Sequence, residues 1–82
     1  MKVRIYIALK KAVLDTQGKA IEGVLVKNLG HSQISNVRQG KFVDLEIADT
    51  NPDNVKKIID EVCDKLLVNK IIEDYSFEII NN

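Results

Sequence analysis

The sequence predicts one small α+β domain with the element order β-α-β-β-α-β. Three observations carry this. The stretch Lys2–Leu9 alternates with the period of a strand. Two segments, beginning near Thr16 and Pro52, repeat their apolar residues at helical spacing. Between them, two short strand-like runs flank Gln39-Gly40, a plausible two-residue hairpin turn.

In the first strand Val3, Ile5, Ile7 and Leu9 share one face, and Arg4, Tyr6 and Ala8 share the other. After the connector Lys10–Leu14, Asp15 stands as a helix N-cap whose carboxylate can accept from first-turn amides. Ile21, Leu25 and Leu29, with Val24 beside them, then predict a helix from about Thr16 to Leu29, stopped by Gly30 in a left-handed cap. Gly18 and Gly23 are costly inside that helix, by about 1 kcal/mol each against alanine. Either the helix tolerates weak positions, or its backbone closely approaches a neighbour there.

The run His31–Gln39 reads as a weak strand with Ile34 and Val37 as its large apolar residues. Phe42–Ile47 is the next strand. A two-residue turn would set Ile34 opposite Leu45, and Val37 opposite Phe42 on the reverse face. Pro52 suits a first helical position, with Asn51 or Thr50 as cap and Asp53 in the first turn. Val55, Ile58, Ile59, Val62, Cys63, Leu66 and Leu67 form the clearest helical stripe, and Asn69 suits its end. Ile71–Ile80 closes the chain as a strand, Tyr75, Phe77 and Ile79 on one face; Asn81 and Asn82 are expected to fray. This order is that of the ferredoxin-like split βαβ fold: a four-stranded antiparallel sheet with two helices on one face. The other face would carry Tyr6, Ala8, Val37 and Phe42, an apolar patch of the kind that marks an interaction site.

At 82 residues the chain has room for a single domain, 1–82, whose core is marginal. Cys63 is the sole cysteine, so no disulfide can form within the chain, and its place in an apolar stripe marks a packed thiol. One His and one Cys far apart offer no metal-ligand spacing. Association is the remaining way to support a small core, with Tyr6, Val37 and Phe42 as the candidate self-association residues. Twelve basic and twelve acidic side chains cancel, and Phe42 with Tyr6 does not reproduce an RNA-binding aromatic pattern, which argues against a nucleic-acid partner. Nothing in the sequence reaches the apolar length of a membrane span, and the alternating MKVRIYIAL does not read as a signal peptide, so the expected location is the cytoplasm.

Catalytic patterns are missing. His31 follows a helix-ending glycine without a local acid or nucleophile, and the adjacent Glu73 and Asp74 would point to opposite faces of a strand. The glycines of QGKAIEG match no phosphate-loop spacing. Arg38 and Lys41, with Gly40, place two cations at the expected hairpin tip. That tip reads as a solvated turn or as a partner contact.

Taken together, LKKAVLDTQGKAIEGVLVKNLG, NVRQGKFVDLEI and CDKLLVNKIIEDYSFEI resemble the PurS subunit of phosphoribosylformylglycinamidine synthase, over about Met1 to Ile80. Two departures fall at element boundaries, where Thr16 and Lys70 stand at positions that are often proline in that family. The resemblance implies a non-catalytic subunit of a glutamine-dependent, ATP-using ligase of purine biosynthesis. In it, PurL carries the synthetase site, PurQ carries the glutaminase site, and PurS assembles the two and supports ammonia transfer. It implies no cofactor on this chain, ATP and Mg on the whole enzyme, and PurL, PurQ and further copies of the chain, as dimer or tetramer, as partners. Gln17, Lys19, Arg38 and Lys41 are the candidate contacts with the larger subunits. The alternative, from fold analogy alone, is a small-molecule-binding regulatory module.

Overall fold

The structure, a computed structural model, describes residues 1–80, so the expected fraying of Asn81 and Asn82 lies outside the described residues. The fold is α+β. Strand β1 (Lys2–Leu9) leads to helix α1 (Thr16–Gly23), which widens into a π-helical turn over Val24–Asn28. Strand β2 (Gly40–Glu46) follows. Helix α2 (Pro52–Val62) then runs into a second π-helical turn at Cys63–Leu67, and strand β3 (Glu73–Ile80) ends the chain.

The sheet is antiparallel with order β2-β1-β3, so the most regularly alternating strand in the sequence sits at its centre. Val3 pairs with Leu45 and Ile79, and Ile5 with Val43 and Phe77. Alternation puts all six on one face. Helix α2 starts where expected: Pro52 occupies the first turn and the Asn51 side chain accepts from the Asp53 amide. Its stripe lays Val55, Ile59 and Cys63 on β1, and with Val3, Ile5, Ile7 and Val68 these form the buried core. The Tyr75 hydroxyl donates to Asp60 at 2.9 Å and ties α2 to β3.

Three expectations are corrected. Among the described residues the sheet has three strands rather than four, because residues 31–39 do not pair. Their amides are taken elsewhere: Val37 N donates to Glu22 Oε1 at 2.9 Å and Gln39 N to Asp15 Oδ2 at 2.6 Å. Asn36 is also left-handed, with φ 55°, which kinks the run. The Gln39-Gly40 hairpin is absent for the same reason; Val37 does not face Phe42, which lies opposite Tyr6. Finally, the two helices do not share a face of the sheet. No residue of α1 enters the core. The helix projects as an arm, and the Cα radius of gyration is 16.2 Å where a compact chain of this length would have about 12 Å.

Helical backbone does run through the expected segment. The α-helical ladder gives way after Gly23 to the wider turn, with Leu29 N donating to Val24 O, and Gly30 takes the left-handed cap with φ 77°.

Candidate functional site

The arm is fixed at its base by one carboxylate and one guanidinium. Asp15 caps α1 as its sequence position requires, accepting from the Gly18 amide at 2.8 Å through Oδ1. Its other oxygen reaches 24 residues along the chain to Gln39 N. These two amides, Gln39 first, hold the buried Asp15 carboxyl below the usual carboxylate range. Gly18 accounts for the close approach suspected from sequence. A Cβ there would lie 2.6 Å from both Asp15 Oδ2 and the Val37 carbonyl oxygen, whereas one at Gly23 would meet nothing within 4 Å. Arg38, expected as a free cation at a tip, instead donates to the carbonyls of Val13 at 3.1 Å, Lys10 at 3.0 Å and Leu9 at 3.4 Å. It therefore closes the clamp from the other side.

Beside the clamp lies a polar groove of about 360 Å³ that brings Gln17 together with Lys41, along with Asp15, Gln39 and Glu73. Lys41 stands 3.7 Å from the Glu73 carboxylate. Of the four candidate partner contacts, then, Gln17 and Lys41 share one surface, Lys19 lies exposed on α1, and Arg38 is spent on the backbone.

The sheet face away from α2 is the second surface. Tyr6 and Phe42 are 40% and 56% exposed and stand opposite one another across β1 and β2. Val37, the third expected member, is half-buried against the arm instead. The face is more ordered and more charged than its sequence suggested. Arg4 bonds Asp44 with both forks, at 2.8 and 3.0 Å, and its guanidinium sits 4.4 Å from the Phe42 ring centre. The Tyr6 hydroxyl donates to Glu78, which pushes the phenol's pKa up. The Arg4–Asp44 pair could be found from sequence only once the register was known. A shallow groove of about 560 Å³ continues this face past Ala8, Gly40 and Ser76.

The remaining titratable groups offer little to a reaction. Burial pushes the Cys63 thiol up, so the nucleophilic thiolate is disfavoured. His31 is exposed in the loop after α1. Among the described residues no three His, Cys, Asp or Glu side chains converge as a metal site, and no helix is long and apolar enough to cross a membrane.

Comparison with known proteins places this architecture. The family model "PurS: Phosphoribosylformylglycinamidine (FGAM) synthase" matches residues 2–81. Phosphoribosylformylglycinamidine synthase subunit PurS of Bacillus subtilis is 38% identical over 78 residues, covering 95% of this chain and 90% of that one. The Mycobacterium leprae subunit of the same name is 46% identical over 72 residues, 88% of this chain and 86% of that one. Among solved structures, B. subtilis PurS aligns with TM-score 0.82 and 36% identity over 98% of both chains. A chain of the Thermotoga maritima PurLQS structure aligns with TM-score 0.88 and 30% identity, covering 96% of this chain and 95% of that one. Matched over nearly its whole length by the family model and by these relatives, the chain belongs to the PurS family of phosphoribosylformylglycinamidine synthase subunits.

Proposed function

We propose that this chain is the small, non-catalytic subunit of a phosphoribosylformylglycinamidine synthase, the glutamine-dependent ligase that makes formylglycinamide ribonucleotide into its amidine in purine biosynthesis. One observation carries the reading: the whole fold, over 96% of the chain, follows that of a chain in the PurLQS structure. The partners are a PurL-type synthetase, a PurQ-type glutaminase and further copies of the chain. ATP and Mg belong to the synthetase subunit, and this chain's part is assembly and support of ammonia transfer. The location that fits such an enzyme is the cytoplasm. The ferredoxin-like reading survives in reduced form, with the order β1-α1-β2-α2-β3 and without the strand expected at 31–39.

Gln17 and Lys41, in their common groove, and Lys19 on the arm are the proposed contacts with the larger subunits. Tyr6 and Phe42 are proposed as one self-association surface. The test is reconstitution: PurL- and PurQ-type subunits are mixed with and without this chain, and glutamine-dependent amidine formation is followed. The chain should be required for the full rate, and equal rates would end the proposal. For the open sheet face, Phe42→Asp should lower the mass of the assembly in light scattering; an unchanged mass would remove that face from it.

A further inference from the structure

The groove that joins Gln17 to Lys41 is built from two chain segments far apart in sequence. Gln17 lies in the first turn of α1, and Lys41 stands near the start of β2, paired with Ile7 of β1. The distance between them is set by the connector Lys10–Leu14, which leaves β1, and by residues 37–39, which enter β2. The connector holds itself poorly. Its own backbone bonds run from Lys10 N to Ile72 O at 2.8 Å and from Val13 N to Lys10 O at 2.9 Å, and Lys11, Ala12 and Leu14 are exposed. Arg38 supplies the rest. Its Nη1 donates to the Val13 carbonyl at 3.1 Å, and its Nη2 to those of Lys10 at 3.0 Å and Leu9 at 3.4 Å. The fork thus spans from the end of β1 to the second residue before the Asp15 cap. The next residue along, Gln39, gives its amide to Asp15 itself.

Arg38 forms no ion pair among the described residues and does not line the groove. Its hydrogen bonds all go to backbone carbonyls. We infer that Arg38 is a positioning residue for assembly: by clamping the Leu9, Lys10 and Val13 carbonyls, it sets Gln17 beside Lys41 in one surface that the larger subunits meet, without itself touching them. The inference rests on the contacts proposed above for Gln17 and Lys41. Lysine cannot take this place. Its ammonium is a compact charge on a flexible stem, whereas three carbonyls on two parts of a connector call for a planar fork. Charge and shape are therefore separable. A cation that met a partner's carboxylate directly would be largely replaced by lysine, and a clamp would not.

The test is the reconstitution above, run as a titration of this chain into fixed amounts of PurL- and PurQ-type subunits. The plateau rate reports the assembled enzyme, and the half-saturating concentration reports how well this chain docks. Arg38→Lys should raise the half-saturating concentration roughly tenfold and leave the plateau at the wild-type value. In a chain already carrying Gln17→Ala and Lys41→Ala, the same change should add little, because the surface it sets is gone. A general loosening of the protomer would instead add its full factor again. Arg38 is exposed and outside the core, so amide protection in β1 should match the wild type. A wild-type chain that leaves the rate unchanged would end the proposed function as a whole. With the wild type active, an Arg38→Lys chain that titrates like it would overturn the inference alone. So would a full factor added on the doubly changed background, a lowered plateau at unchanged half-saturation, or lost protection in β1. Gln17→Ala with Lys41→Ala titrating as wild type would remove the surface, and the inference with it.

Discussion

In the half of the molecule made by β1, β3 and α2, Val3, Ile5, Val55, Ile59 and Cys63 are fully buried. In the half made by residues 10–39, the buried residues are Asp15 and Gly18. The first half is held by removal of apolar surface from water, which is non-directional and tolerant of detail. The second is held by a few directional bonds to one carboxylate, one glutamate and one arginine. Such bonds set an orientation well but stabilise little net, since each replaces a bond to water. The difference gives the two halves separate tasks. The α2 half keeps the protomer folded, and the arm half presents its surfaces at a fixed angle.

The strongest way to break this contrast is in the core. Ile59→Ala removes a fully buried side chain from α2 and should cost about 2–5 kcal/mol in urea unfolding. That is a large part of what a domain this small has. A cost near zero would mean that the α2 half is not the stabilising one. In the arm half the matching change is Gly18→Ala. Its Cβ would meet the Val37 carbonyl at 2.6 Å, and backbone cannot move aside as a flexible side chain can. A loss of about 1–3 kcal/mol is expected. Amide exchange should speed up across residues 31–39 while β1 stays protected. Loss of protection in β1 as well would show that the two halves unfold together.

Asp15 sharpens the contrast through pH. Its carboxyl titrates below the usual range when folded, held down by the Gln39 and Gly18 amides. The stability it contributes is therefore fully present above the unfolded carboxylate pKa, about 3.9, and is lost as pH falls through the lower folded value. Asp44, Asp49, Asp60 and Asp64 are also lowered, so acid unfolding of the wild type cannot be assigned to one group. Comparison with Asp15→Asn isolates it. The variant should melt on the order of 5 °C lower at pH 7, and the gap should close toward pH 3. A gap independent of pH would mean that the clamp works by shape rather than by charge.

How far these features could be read from sequence follows the same division. The α2 half was legible because local pattern decides it: alternation gave β1, the stripe from Val55 gave α2, and Pro52 and Asn51 gave its start. The arm was legible as a helix, with Asp15 and Gly30 as its ends, because caps are local. Its direction was not. A stripe such as Ile21, Val24 and Leu25 shows which face of the helix is apolar, without showing what lies against it. The missing fourth strand has the same origin. A run with Ile34 and Val37 as its large apolar residues is a weak strand former, and sequence could not show that Asp15 and Glu22 would take the amides it needs. Arg38 misled for the same reason, since its three carbonyl partners lie 25 to 29 residues away.

The smallest expected effect has the opposite sign and separates the two helical glycines. Gly23→Ala adds a Cβ that meets nothing within 4 Å, at the end of α1 with helical backbone on both sides. Alanine restricts the unfolded chain more than glycine does and fits this conformation without strain, so a gain of about 0.5–1 kcal/mol is expected by urea unfolding. The gain would mark Gly23 as a tolerated weak position, next to Gly18 as a required one. A loss would point to a contact outside the described protomer, since no residue described beyond the helix's own backbone lies within 4 Å of that Cβ. If Gly23→Ala weakened the assembly in light scattering while stabilising the protomer at high dilution, the glycine would lie beneath a partner.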